Sequence, residues 1–413
     1  MKKTGILLHI SSLPSQFSIG SFGKPAYDFV DLLANLGFNL WQVLPLCPTD
    51  EANSPYNSPA PSGFNPLFMD LEILYNKGII TKEELNSQKK TNTSAIDYSF
   101  QKERIALIKK AFSRSHLSIN EELRTQWLAL KKYANSKNIE IIGDIPFYCA
   151  RHSNVVKNNP QFFNLETQGG APPDYFNSDG QAWSAPTYNW QSKDIFEWWA
   201  RRLFGELNRY DYLRIDHFRG LVDYWEIPKD CENGKNGKWK EAKPYEWFAH
   251  VQKKVDISKL LAEDLGTWSQ GLEDFVNFTK IPNMKVLQFG FDGNPNNPHL
   301  PQNYPENCVA YTGTHDNNTL IGFCEETFPE RKSEGLAKEF LQDIFASKAD
   351  KVLIQMQDLL FLGAEYRMNT PGKLGSWTFR LSDDYAEHID YPFFKELIKN
   401  DKKNLQEHRA LFA

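Results

Sequence analysis

Residues 211–220 read Asp-Tyr-Leu-Arg-Ile-Asp-His-Phe-Arg-Gly, a short apolar run that ends in Arg214, Asp216, His217 and Arg219. In an extended strand, residues two apart project from one face, so Arg214 and Asp216 share a side. The opposite charge favours the ionised carboxylate, which is what a nucleophile needs. Two further acids close apolar runs: Glu263 in Lys-Leu-Leu-Ala-Glu-Asp-Leu-Gly and Asp316 in Val-Ala-Tyr-Thr-Gly-Thr-His-Asp-Asn. Three carboxylates at three strand ends suit retaining glycoside chemistry, which needs a nucleophile and an acid/base roughly 5–5.5 Å apart. Environment must separate the two pKa values. Asp216, among cations, suits the nucleophile. Glu263, after Leu260, Leu261 and Ala262 and without an adjacent cation, suits the acid/base. Asp316 suits a third carboxylate that holds sugar hydroxyls. Taken singly, the same residues also suit a structural ion network, a helix cap and an Asx turn, and the pattern alone leaves these open. No His-x-x-x-His or Cys-x-x-Cys pair is present, so no metal is expected.

The elements that must position these acids alternate along the chain. Strands are expected at Gly5–His9, Leu40–Leu46, Ile139–Ile145, Tyr212–Ile215, Lys259–Ala262, Lys285–Phe289, Val309–Thr312 and Val352–Asp358. Helical periodicity separates them at Pro25–Leu36, Lys102–Phe112, Leu123–Ala134 and Ile195–Leu207, which predicts a parallel α/β architecture. Pro48–Pro66 and Asn158–Trp190 read as long loops, the second carrying Gly169-Gly170, Pro172-Pro173 and many aromatics. The spacings from Asp216 to Glu263 and from Glu263 to Asp316 each leave room for one or more βα units. All three acids can then meet at the C-terminal face of a barrel.

The chain has 413 residues and a formal net charge of -5, with no basic stripe, so neither nucleic acid nor an anionic membrane is an expected partner. The five cysteines are an odd number without close pairs and read as reduced thiols of a cytoplasmic protein. The apolar run after Lys2 and Lys3 is too short for a signal peptide, and no run approaches the ~20 apolar residues that span a bilayer. Aromatic residues make up 14% of the chain; beyond filling a core, such rings offer stacking faces to sugars.

A series of motifs in order makes the chain recognisable. It includes Gly-Ile-Leu-Leu-His-Ile-Ser-Ser-Leu-Pro (5–14), Trp-Gln-Val-Leu-Pro-Leu (41–46), Ser-Pro-Tyr (54–56), Ile-Ile-Gly-Asp-Ile-Pro (141–146) and Pro-Pro-Asp-Tyr-Phe (172–176). Gly-Gln-Ala-Trp (180–183), Arg-Ile-Asp-His-Phe-Arg-Gly (214–220), Leu-Ala-Glu-Asp-Leu-Gly (261–266), Tyr-Thr-Gly-Thr-His-Asp-Asn (311–317) and Arg-Met-Asn-Thr-Pro-Gly (367–372) follow. The series resembles the amylomaltases, the 4-α-glucanotransferases of glycoside hydrolase family 77, also called disproportionating enzymes.

The resemblance implies one catalytic (β/α)₈ TIM barrel over 1–413, with insertions near 48–138 and 150–192, and no cofactor. By motif match Asp216 is the nucleophile, Glu263 the acid/base and Asp316 the transition-state stabiliser. Arg214, His217 and His315 would frame the sugar, and Asn369 would close the site. Ser54, Tyr56, Gln181 and Trp183 would bind neighbouring sugars, and the loop with Asp174 would arch over the cleft. The expected partners are α-1,4-glucans such as maltooligosaccharides, amylose or glycogen-derived dextrins, with the protein a monomer or homodimer in the cytoplasm. An α-amylase-type hydrolase and an inactive glucan-binding relative are the alternatives.

The chain also departs from the family. It is shorter, most visibly between Ser113 and Trp127 and before the eighth strand. His152 stands where an acid is usual, Ser184-Ala185 replaces a usual Gly-Asn, and Ser376 replaces a usual Asn. These changes are expected to alter acceptor preference or rate rather than abolish activity.

Overall fold

The computed structural model describes residues 2–90, 94–173 and 177–399. Eight strands form a closed barrel: β1 (Lys3–Leu7), β2 (Leu40–Gln42), β3 (Glu140–Ile145), β4 (Tyr212–Ile215), β5 (Leu260–Ala262), β6 (Asn283–Val286), β7 (Cys308–Tyr311) and β8 (Lys351–Gln355). Each strand neighbours the ones before and after it in sequence, and β8 returns to pair in parallel with β1. This is the (β/α)₈ arrangement expected from the sequence. The strands are short and apolar because both faces are covered; all four residues of β7 and all three of β5 are buried.

Four strands stop earlier than their apolar runs, β1 among them, which ends at Leu7 although Leu8 and His9 are buried. β2 ends at Gln42 although Val43, Leu44 and Leu46 are buried. β6 gives way to a 3₁₀ turn at Leu287–Phe289, and β8 to a short helix at Met356–Leu359. Burial continues past each strand end, so apolar character alone does not mark where hydrogen-bonded pairing stops.

Helix α1 (Lys24–Leu36) has proline in its first turn, where no N–H is needed. It ends at Gly37, whose φ of 96° and N–H donation to the carbonyls of Leu33 and Ala34 make a left-handed cap. Helices α2 (Gln101–Ser115) and α3 (Ile119–Ser136) run longer than their apolar stripes. Ser118 caps α3 by accepting from the Glu121 N–H, so residues 116–118 alone separate the two helices. Helix α4 (Ile195–Leu207) precedes β4 with the bounds expected.

The chain divides into two compact units, one of residues 1–44, 64–142 and 285–413, the other of 45–63 and 143–284. In the second unit, the segment expected as a long loop contributes four short strands. Thr167–Ala171 and Gln181–Ala182 join Asp223–Pro228 and Lys238–Glu241 in a four-stranded antiparallel sheet, and Phe163–Asn164 pairs with Thr187–Tyr188. A Cβ at Gly169 would lie 2.6 Å from the Tyr148 ring. Glycine there lets the sheet press onto that ring. All five cysteines are free, and among the described residues no helix is long and apolar enough to cross a membrane.

Candidate active site

Arg214, the third residue of β4, is 4% exposed. Its Nη1 donates to both carboxylate oxygens of Asp144 at 2.8 Å and to Oδ1 of Asp216 at 3.0 Å. Its Nη2 lies 3.9 Å from Oε2 of Glu263. One guanidinium therefore faces three carboxylates. Burial works against the cation, but Asp144 and Asp216, with Tyr56 and Glu263 behind them, hold its pKa well above the ordinary value. Asp144 sits on β3 with its side chain sealed from solvent, and the Tyr56 hydroxyl donates to it at 2.7 Å. Burial first, and Asp144 next, raise the Tyr56 pKa, which keeps the phenol protonated.

Asp216 and Glu263 each directly follow a barrel strand. The Asp216 N–H donates to the Ile145 carbonyl at 3.1 Å, and the Glu263 N–H to the Ile215 carbonyl at 3.1 Å. These bonds continue the ladder one residue past the strands and fix both acids at their ends. The side chains differ in exposure, 27% for Asp216 against 12% for Glu263. Glu263 also accepts two backbone N–H groups, His217 at 2.6 Å on Oε2 and Leu265 at 2.9 Å on Oε1. Burial raises its pKa to about 7, with Arg214 pulling it down and Asp216 pushing it up. A carboxyl that is a proton donor near neutrality thus stands beside a carboxylate bonded to arginine, the asymmetry that acid/base and nucleophile roles require.

His217 takes up the turn after β4 in a left-handed conformation, φ 46° and ψ 48°. That backbone is uncommon outside glycine, although asparagine, aspartate and histidine adopt it more often than other residues, and it costs conformational energy. It directs the His217 N–H at Glu263 while the next N–H, of Phe218, donates to the Glu263 carbonyl at 2.8 Å. The imidazole packs edge-on against Trp183 at 4.8 Å and lies 6.0 Å from Tyr148. Burial lowers its pKa to about 4, against the pull of Asp216, so the ring is neutral at pH 7. Trp183 donates from Nε1 to the exposed Gln181 at 2.9 Å. Ser54 spends its hydroxyl on the Tyr56 N–H at 3.3 Å, capping the turn that carries the tyrosine.

The other unit holds a second cluster. Asn369 donates from Nδ2 to Oδ1 of Asp316 at 2.5 Å and from its backbone to the His315 carbonyl at 3.0 Å. His315 Nε2 lies 3.4 Å from Asp316 Oδ1, and Arg367 donates to the Asp316 carbonyl. The His315 ring lies 5.6 Å from Trp377.

Within one unit, then, Tyr56, Arg214, Asp216, His217 and Glu263 converge, with Trp183 against His217 and Gln181 beside Trp183. Within the other, His315, Asp316 and Asn369 converge. Asp174 lies outside the described residues. Of the departing positions, His152 is exposed in the turn before the helix Asn154–Asn158, and Ser184 has φ 56° and donates its N–H to the Gln168 side chain at 2.8 Å. Ala185 is buried and receives the Gly169 N–H, while Ser376 accepts from the Thr370 N–H at 3.2 Å. Two members of the constellation escaped the sequence reading. Asp144 stood in the motif 141–146, but its partner Arg214 is 70 residues away. Tyr148 shows its role only through the rings it touches.

The chain matches the family described as 4-alpha-glucanotransferase, glycoside hydrolase family 77, over residues 8–125 and 115–386. It is 34% identical over 466 aligned positions to the 4-alpha-glucanotransferase of Clostridium butyricum, covering 91% of this chain and 96% of that one. It is 33% identical over 481 positions to the 4-alpha-glucanotransferase of Aquifex aeolicus, covering 96% and 99%. Both alignments are longer than the 413 residues of the chain, so they carry gaps on its side. The family match falls into two stretches that overlap at 115–125, where α2 and α3 meet. The structure superposes on the amylomaltase from Streptococcus agalactiae in complex with acarbose with a TM-score of 0.90 at 30% identity, covering 98% of this chain and 100% of that one. On the extent of these matches, the chain belongs to the 4-alpha-glucanotransferases of glycoside hydrolase family 77.

Proposed function

We propose that this chain disproportionates α-1,4-glucans, moving segments between maltooligosaccharides by double displacement. Its family membership carries the activity, glucan transfer. The residue assignments rest on the motif matches and on one observation: Arg214 contacts Asp216 directly, while Glu263, close to the same guanidinium, is held as a proton donor near neutrality.

In this reading Asp216 attacks the anomeric carbon as Glu263 protonates the departing glycosidic oxygen. The C–O bond to the leaving glucan breaks and a glucosyl ester forms on Asp216. Glu263, now ionised, takes the proton from the 4-hydroxyl of an acceptor glucan, which displaces Asp216; two inversions give net retention. Asp316, held by Asn369, is the third carboxylate that favours the oxocarbenium-like transition state. His217, neutral at pH 7, and His315 hydrogen-bond sugar hydroxyls, and Tyr56, Gln181 and Trp183 line neighbouring positions. Transfer beats hydrolysis when a bound acceptor occupies the site and water is kept from the glucosyl ester. The chain acts as a single catalytic domain over 1–413, in the cytoplasm, as a monomer or homodimer.

Incubation with maltotriose tests the reading. A ladder of longer glucans plus glucose, without a net rise in reducing ends, is expected. A net rise marks a hydrolase, and binding without product marks an inactive relative. D216N is expected to abolish the ladder while keeping the fold.

A further inference from the structure

The sequence reads Val352–Asp358 as one strand, but β8 ends at Gln355 and the chain turns into the short helix Met356–Leu359. This turn buries Asp358, 1% exposed, inside the unit that holds Asp316. Its two oxygens serve two different residues. The Thr312 hydroxyl donates to Oδ2 at 2.5 Å and the Leu320 N–H donates to Oδ1 at 2.7 Å. Thr312 and Leu320 bracket the loop that carries His315 and Asp316. Inside that bracket the Asn318 carbonyl accepts from the side chains of Gln288 at 2.8 Å and Gln355 at 3.0 Å. Gln357, next to Asp358, donates to the Tyr366 carbonyl at 3.1 Å. The residues that follow reach back to Asp316 through Arg367 and Asn369.

The Leu320 bond is not needed to start the helix Leu320–Thr327. Thr319 already caps it by accepting from the Gly322 N–H at 3.1 Å. A buried carboxylate is costly unless hydrogen-bonded, and this one, besides the Gln355 backbone, bonds both ends of a single loop. We propose that Asp358 is a positioning residue for glucan transfer, clamping Thr312 to Leu320 so that the loop between them aims the Asp316 carboxylate. The proposal rests on Asp316 being the third carboxylate of the reaction. Asp358 is covered and acts only through that loop.

The test is steady-state transfer from maltotriose by D358N, T312V, T312S, D316N and the double variant D316N/D358N, each checked for a cooperative melt. A displacement of about 1 Å in a reacting group costs on the order of 100-fold in rate. D358N and T312V are therefore expected to lose roughly 10–100-fold in kcat with KM changed less than about threefold. T312S, which keeps the hydroxyl, is expected to stay near wild type. Residues that act as a unit are non-additive, so D316N/D358N is expected to be no slower than D316N within about twofold. A loss confined to KM, a wild-type rate in D358N, or a loss that multiplies in the double variant overturns the clamp. D316N at wild-type rate removes the assignment of Asp316 itself, and the clamp with it. Should D358N not fold, the threonine pair decides: loss in T312V with retention in T312S supports the proposal, and equal behaviour of the two overturns it.

Discussion

The backbone N–H of His217, held left-handed, donates to Oε2 of Glu263 at 2.6 Å. A turn at the end of β4 thereby orients the carboxyl at the end of β5, and a strained residue fixes the acid. Replacing His217 tests this link. Asparagine tolerates left-handed backbone, so H217N is expected to keep its melting temperature within a few degrees while losing the imidazole face against Trp183. Its kcat/KM for maltotriose is expected to fall by about 10–100-fold. A β-branched residue, as in H217V, is expected to lose stability as well, by roughly 1–3 kcal/mol. Equal melting temperatures for the two variants would remove the backbone constraint.

The elevated pKa of Glu263 sets a pH dependence. The free carboxyl titrates at 4.5 and the folded one at about 7. A general acid must start protonated, so kcat/KM is expected to fall as pH rises through about 7. The stability effect has the opposite sign from a salt-bridged acid. Between the two values the folded state binds the extra proton, so this group's contribution weakens as pH rises. E263Q removes the penalty: at pH 8 it is expected to melt above wild type, by on the order of 1 kcal/mol or more, and near wild type at pH 4.5. Its transfer activity is expected to disappear at both. A variant that melts below wild type at pH 8 would contradict the burial account.

The Arg214–Asp144 pair is a separate test, because both side chains are buried and removing either breaks a buried ion pair. D144A is expected to cost about 3–5 kcal/mol, read as a drop in chemical-denaturation midpoint, and R214A a similar amount. R214K keeps the charge, but a lysine ammonium cannot reproduce the fork that serves Asp144 and Asp216 and faces Glu263. It is expected to fold and to lose at least about 100-fold in kcat. R214K at wild-type rate would make the guanidinium geometry irrelevant.

Gly169 connects the accessory sheet to the aromatic floor. G169A places a methyl 2.6 Å from the Tyr148 ring and is expected to cost about 1–3 kcal/mol. The displaced ring lies 5.9 Å from Trp183, so KM for maltotriose is expected to rise while kcat changes less. Unchanged KM would separate the sheet from sugar binding.

These particulars show what the sequence makes legible. All eight barrel strands overlap the short apolar runs that predict them, β1 and β6 starting two residues earlier, because strands covered on both faces are mostly apolar. Their ends were not legible at Val43–Leu46 or Gln357-Asp358, where burial outlasts pairing. The strand Thr167–Ala171 was hidden by Gly169-Gly170, residues depleted in strands; Gly169 admits close approach of Tyr148, and Gly170 that of the Gln181 backbone and Ile227. Asp216, Glu263 and Asp316 were legible from strand-end placement and motif. Asp144 and Asp358 were not, since each acquires meaning only from partners many residues away that folding brings within hydrogen-bond reach.

The most direct measurement of the central claim is peptide mass spectrometry on E263Q after reaction with a maltosyl fluoride, acid-quenched. Fluoride leaves without the acid, and no base activates the acceptor, so the ester is expected to accumulate as one maltosyl unit on the peptide containing Asp216. A maltosyl group on a different peptide, or none while fluoride is released in a single-turnover burst, would contradict the account.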